Sequence, residues 1–201
     1  MLQYLVLIGA AVQLFGIFLY IKETLRGNTK PNRVTWLMWA VAPLIGAAAA
    51  FMDGAGWAAI PVFAAGFGAL LVFIASFINP NSYWRLRGFD YLCGFFSVWA
   101  LVLWGITKEP IVAIIFAMVS DGFAALPTFV KSWRHPETEI AGEYMAALLS
   151  AFTGFFAIKI WDFSSYAFPV YFVLINAFLI FAVYRKKIFK ISPAVILETE
   201  K

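Results

Sequence analysis

The sequence is poor in the residue types on which most enzyme chemistry rests. It holds one cysteine, Cys93, and one histidine, His135. A single cysteine excludes an internal disulfide and a cysteine-only metal cage. Inside an apolar run it is expected to pack as a small buried hydrophobe. A single histidine in a charged loop has no second imidazole to help it hold a metal. Glycine-rich phosphate loops are absent, and so is any lysine in the last apolar segment, which excludes a retinal Schiff base there. Charge is scarce too: Asp, Glu, Lys and Arg make up 13% of the chain, against about a quarter of a soluble domain. No basic stretch precedes the first apolar segment, so that segment is expected to be retained rather than removed as a signal peptide.

What is present is apolar. Hydrophobic residues make up 63% of the 201 residues, with 22 Phe and 8 Trp. No water-soluble core needs that much apolar surface, so lipid is the solvent for most of the chain. A membrane span takes about 20 mainly apolar residues, and seven segments qualify: Leu2 to Ile21, Val34 to Met52, Trp57 to Ile78, Phe89 to Ile106, Ile111 to Val130, Glu143 to Ile160 and Ser165 to Tyr184. Turn formers separate them: Gly27, Asn28 and Pro31, then Asp53-Gly54-Ala55-Gly56, Asn79-Pro80-Asn81 and Thr107-Lys108-Glu109-Pro110. The expected fold is an all-α integral membrane protein with seven transmembrane helices.

The formal net charge of +4 could serve nucleic acid, but its placement fits a bilayer. With seven spans, one side receives all of the 15 Lys and Arg except Lys108 and Lys159. The positive-inside rule then places the N-terminus outside and the C-terminus in the cytoplasm. The expected location is the inner membrane, with no nucleic-acid partner.

An internal repeat lies at an offset of 108 residues. Phe15 falls on Phe123, Arg26 on Arg134, Gly46 on Gly154, Pro61-Val62 on Pro169-Val170, Leu71 on Leu179 and Phe73 on Phe181. Trp36 meets Tyr144, and Phe63 meets Tyr171. The expected organisation is two parallel three-helix repeats joined by a linker helix (3+1+3). The first repeat covers residues 1–79, the linker and fourth span 80–108, the second repeat 109–187 and a cytoplasmic tail 188–201. Transporters are often built from such repeats, with the site near the midplane at their interface.

Asp121 stands near the middle of the fifth span, where an acid costs about 2.5–3.5 kcal/mol on insertion scales. Such a residue either faces a cavity or bonds to a neighbouring helix. Gln13 is its repeat counterpart. Asn176 lies near the middle of the seventh span, opposite Gly68. These three side chains share one depth and are the candidate solute ligands, with interhelical hydrogen bonds as the alternative use. Trp36, Trp39 and Tyr144 either stack on a solute, close an inner gate or belong to the interfacial aromatic belt. Pro43 and Pro127 weaken their helices and are candidate hinges. Glu137, Glu139 and Glu143 follow Pro136 and are expected in a solvated loop, paired with Lys131 and Arg134. No metal or cofactor is expected.

The stretch Leu126-Pro127-Thr128-Phe129-Val130-Lys131-Ser132, together with the 3+1+3 organisation, resembles the SWEET sugar transporters and the broader PQ-loop family. Thr128 stands where that family usually has glutamine. The resemblance implies a rocker-like carrier of a small solute rather than an enzyme. It makes Pro127 the signature hinge proline and Asn176 the seventh-span asparagine that contacts substrate. The first repeat departs from the pattern, with Leu19-Tyr20 for proline–glutamine and Gly68 for the third-span asparagine. The resulting expectation is carriage of a small polar solute such as a sugar or amino acid, coupled to a proton or cation through Asp121. Its expected partners are the solute, the bilayer and a second copy of the chain. Two alternatives are a sorting receptor that binds without transport and a lipid-modifying enzyme. The enzyme would need at least two convergent acids or histidines, and Asp121 is expected to be the only one within a span.

Overall fold

The protein was analysed as a computed structural model that describes residues 2–52, 54–107 and 109–188. Asp53 and Lys108 of the expected turns lie outside the described residues, as do residues 189–201 of the expected tail, with Lys190 and Lys201. Among the described residues the regular structure is helical. The helices are α1 Leu5–Arg26, α2 Arg33–Met52, α3 Ile60–Ala75, α4 Gly88–Thr107, α5 Pro110–Arg134, α6 Ala141–Phe155 and α7 Phe163–Ile188. A 3₁₀ turn, Gly56–Ala59, leads directly into α3.

Six of these helical stretches are long and apolar enough to cross a membrane, and the protein is a multi-pass membrane protein. The exception is α6, which is shorter than the expected span. The sixth span, expected from Glu143 to Ile160, is helical only over Ala141–Phe155, 15 residues. At 1.5 Å per residue that is about 22 Å of helix, short of a hydrocarbon layer of about 30 Å. The next helix starts at Phe163, two residues before the expected span. Asp162 accepts a hydrogen bond from the Ser165 backbone at 2.9 Å and so starts α7 early. The chain from Phe156 to Trp161 is left to make the turn, with Ile160 and Trp161 exposed.

The ends of the other helices follow from local chemistry. Gly27 takes φ 86° and returns its N–H to the last turn of α1, a conformation that costs glycine no side-chain clash. Asn32 caps α2, its Oδ1 accepting from the backbone of Val34 at 3.1 Å and Thr35 at 3.3 Å. Its Nδ2 donates to Asp90 Oδ1 at 2.7 Å, which ties the start of α2 to the start of α4. Asn32→Ala removes both functions from a buried position. It is expected to cost about 1–2 kcal/mol of stability, read as a lower thermal unfolding midpoint in detergent.

Within the bundle, α1 packs on α3 and α6, α2 on α3 and α5, and α7 on α5 and α6. α4 lies outside, mainly on α5 and in part on α2. It turns Phe95, Trp99 and Leu103 outward, as a lipid-facing helix does. Two apolar clusters fill the interior. One, near the α2 C-terminus and the α7 N-terminus, includes Ala47, Val62, Ile114, Ala151, Phe168 and Phe172. The other, towards the end where α1 finishes and α2 begins, includes Ile17, Tyr20, Trp36, Ala40, Ala69 and Val72. Helix surfaces meet closely where glycine removes the side chain. A Cβ on Gly16 would lie 2.6 Å from the Ala146 Cβ and 3.3 Å from the Glu143 Cα.

Candidate functional site

Between the two apolar clusters lies a cavity of about 50 Å³. α1 contributes Gln13 to its lining, and α2 contributes Trp36, Trp39 and Pro43. Ala65 and Ala69 come from α3, Asp121 from α5, and Glu143 and Ala147 from α6; α7 adds Phe172, Ile175, Asn176 and Leu179. The structure therefore brings Asp121, Asn176, Gln13, Trp36 and Trp39 to one place. Tyr144 stands beside them, its ring centroid 6.4 Å from that of Trp39.

Each polar group is held differently. Asp121 is 2% exposed, and its Oδ2 accepts the Tyr171 hydroxyl at 2.7 Å. The repeat counterpart of this pair is Gln13 with Phe63. Phenylalanine has no hydroxyl to anchor an acid, and an amide stands where the acid would. Asn176 is anchored by its own helix, Nδ2 donating to the Phe172 carbonyl at 2.8 Å. Trp39 Nε1 donates to the backbone carbonyl of Asp121 at 3.3 Å. Gln13 is 3% exposed and makes no hydrogen bond from its side chain among the described residues. Trp36 Nε1 is buried without a partner.

Trp36 and Tyr144 are 1% and 0% exposed, which removes them from an interfacial belt. With Tyr20 and Trp39 they form an aromatic layer across one end of the cavity. Ring centroids are 4.8 Å apart for Tyr20 and Trp36, and 5.3 Å for Trp36 and Trp39. Behind this layer sits an ion pair that sequence reasoning placed in water. Lys131 and Glu139 form a salt bridge with side chains 1% and 0% exposed. Glu139 Oε2 also accepts the hydroxyls of Tyr20 at 2.9 Å and Tyr144 at 3.0 Å. Lys131 Nζ donates to the Lys30 carbonyl at 2.6 Å. The expected pairing of Lys131 with an acid is present, but the expected solvation is corrected. Burial costs the two charges their water, and full pairing with hydrogen bonds is what makes burial tolerable. Glu137 alone of the three acids is exposed, beside His135 Nδ1 at 3.3 Å.

Glu143 is a second correction. It is 6% exposed and faces the cavity, so Asp121 is not the only acid in the helix bundle. A signal for it existed: at the repeat offset Glu143 falls on Thr35, a residue inside the second span. Thr35 is buried at the matching seam, its hydroxyl donating to the Ala124 carbonyl at 2.7 Å.

The prolines part company. Pro43 lines the cavity. Pro127 lines a separate hollow of about 360 Å³ with Trp84, Arg87 and Arg134. Both stand inside unbroken helices. Among the described residues no three His, Cys, Asp or Glu side chains gather as a metal site would require. Cys93 is buried, as a packing residue is. No protein-family model matches the chain, and no curated protein or solved structure is significantly similar to it. The reading of the site therefore rests on its own geometry.

That geometry sets a size limit. A buried water needs about 10–15 Å³ of such space, so about 50 Å³ takes a few waters or one small ion. Pockets for larger ligands run to about 300–1,000 Å³. In this conformation neither a sugar nor a lipid headgroup fits, and admitting one would require the helices to part.

Proposed function

We propose that the protein is a SWEET-like carrier of a small polar solute in the inner membrane, oriented with its basic end in the cytoplasm. The observation that carries this reading is the convergence of Asp121, Gln13, Asn176, Trp36 and Trp39 on one cavity. Six helices contribute to it, and α4 does not. The 3+1+3 organisation draws support from the packing pattern. Exchanging α1, α2 and α3 for α5, α6 and α7 maps α1–α3 onto α5–α7, α2–α3 onto α6–α7, and α1–α6 onto α5–α2, all of which are packed pairs. The paired glycines of the two repeats both sit at close helix contacts. A Cβ on Gly46 would meet Phe168, and one on Gly154 would come within 3.9 Å of Pro61. The cavity then lies at the interface of two halves, where repeat-built carriers hold their solute.

In this scheme Asp121 is the charge switch that couples solute movement to a proton or cation. Asn176 and Gln13 are solute ligands, and Pro127 and Pro43 are the places where α5 and α2 bend. The aromatic layer with the Lys131–Glu139 pair is the inner gate. Glu143 supplies the second acid that the lipid-enzyme alternative would need, but the cavity's volume does not favour a lipid.

Uptake of a panel of labelled sugars and amino acids into proteoliposomes, with and without a pH gradient, tests the switch. Asp121→Asn is expected to remove the gradient-dependent part of uptake while the protein remains folded. Unchanged gradient dependence for the transported solute would show that Asp121 is not the switch.

A further inference from the structure

We infer that the cavity's occupant is a small monovalent cation bearing an ammonium group, in a site lined by Asp121, Glu143, Trp36 and Trp39. This deepens the carrier reading and rests on it only for the statement that the cation is carried.

Two carboxylates line the cavity and no basic side chain does. Among the described residues Lys131 is the one buried cation, and it is committed to Glu139. Asp121 has Tyr171 on one oxygen, while no hydrogen bond among the described residues reaches the Glu143 carboxylate. Glu143 is 6% exposed and Gln13 3%, and the Gln13 amide is equally unpartnered. Buried polar groups are normally satisfied, so side chains left open on one cavity mark the place of a ligand.

The kind of ligand follows from what is open. Carboxylate oxygens and the amide carbonyls of Gln13 and Asn176 are acceptors, and an ammonium group offers only donors. An anion would be repelled by both acids. A neutral solute would satisfy the amides but offer no charge to stabilise the ionised form of either acid. The indole rings add a second, independent preference. Trp36 and Trp39 both line the cavity and meet at 80° with centroids 5.3 Å apart. A tryptophan face attracts a cation within about 6 Å. A multivalent metal is disfavoured, because no three acidic, histidine or cysteine side chains gather among the described residues. The cavity of about 50 Å³ limits the group held in this conformation to one of methylammonium size.

Equilibrium dialysis of the full-length protein in detergent, with labelled methylammonium in an amine-free buffer, tests this directly. Saturable binding that excess acetamide does not compete away is expected. Glu143→Gln and Asp121→Asn are each expected to weaken it about 30-fold or more, as losing one partner of a buried charged contact does. Acetamide binding as tightly as methylammonium to the wild-type protein would overturn the inference, whether or not either variant folds. So would full affinity in a folded Glu143→Gln protein. Counterflow in proteoliposomes separates the two readings. Binding of methylammonium without exchange would retire the carrier and uphold the cation site. Exchange of an uncharged solute with no methylammonium binding would do the reverse.

Discussion

Lys131→Met is expected to be the most damaging single substitution outside the cavity, lowering stability by about 3–5 kcal/mol. The pair it breaks is dry on both sides, with side chains 1% and 0% exposed. Methionine fills the space of the lysine stem but leaves Glu139 charged among the hydroxyls of Tyr20 and Tyr144. The cost therefore comes from the stranded carboxylate rather than from a lost attraction. Replacing both members separates these effects. Lys131→Met with Glu139→Gln leaves a neutral amide that still accepts the tyrosine hydroxyls, and most of the loss is expected to return. Thermal unfolding midpoints of the wild type, both single variants and the double variant in one detergent measure this. A double variant no better than Lys131→Met would show that the lysine matters for its packing and its bond to the Lys30 carbonyl, not for the charge it neutralises.

Gly16→Val is expected to cost about 3 kcal/mol or more, at the upper end of overpacking penalties, because the obstruction is partly backbone. The added Cβ would come within 2.6 Å of the Ala146 Cβ and 3.3 Å of the Glu143 Cα. A methyl group on a facing helix cannot rotate away, so α1 must withdraw from α6. That movement would also displace Glu143 from the cavity, and methylammonium binding is expected to fall with stability. Gly105→Ala is the matching control, since nothing lies within 4 Å of its would-be Cβ. There the helix preference of alanine over glycine is expected to leave stability unchanged or raised by up to about 1 kcal/mol. Equal effects at the two positions would mean that glycine is needed for flexibility and not for close approach.

The sequence was most legible where one physical effect acts alone. Apolar runs closed by turn formers place α2 at Arg33–Met52 and α4 at Gly88–Thr107, each within one residue of the expected spans. Depth along a span placed Asp121, Gln13 and Asn176 together, since residues at mid-span in neighbouring helices come to one level. It was least legible where two effects compete. Hydropathy treats Glu139 and Glu143 as solvated because each is charged, and it has no access to partners that arrive from other helices. Glu139 is neutralised by Lys131 on α5 and hydrogen-bonded by tyrosines on α1 and α6, a set brought together only by packing. Tyr171 was visible as the repeat partner of Phe63, but its hydroxyl acquired meaning only once α7 lay against α5. The start of α7 at Phe163, with Asp162 accepting from the Ser165 backbone, is a local capping detail that hydropathy does not contain.

The two long seams of the bundle differ in how they are fastened. Along α2 and α5, Thr35 bonds the Ala124 carbonyl, Thr128 bonds Thr35, and Trp39 bonds the Asp121 carbonyl. Along α1 and α6, Gly16 meets Ala146 and Gly9 meets Thr153, and the hydrogen-bonded tie between them is at one end, where Glu139 takes the hydroxyls of Tyr20 and Tyr144. The molecule is thus bound like a book. α2 with α5 is the spine, α1 with α6 the fore-edge, and one carboxylate is the clasp. In the proposed carrier, parting α1 from α6 would have to break the clasp, whereas three hydrogen bonds hold the Asp121 turn of α5 to α2.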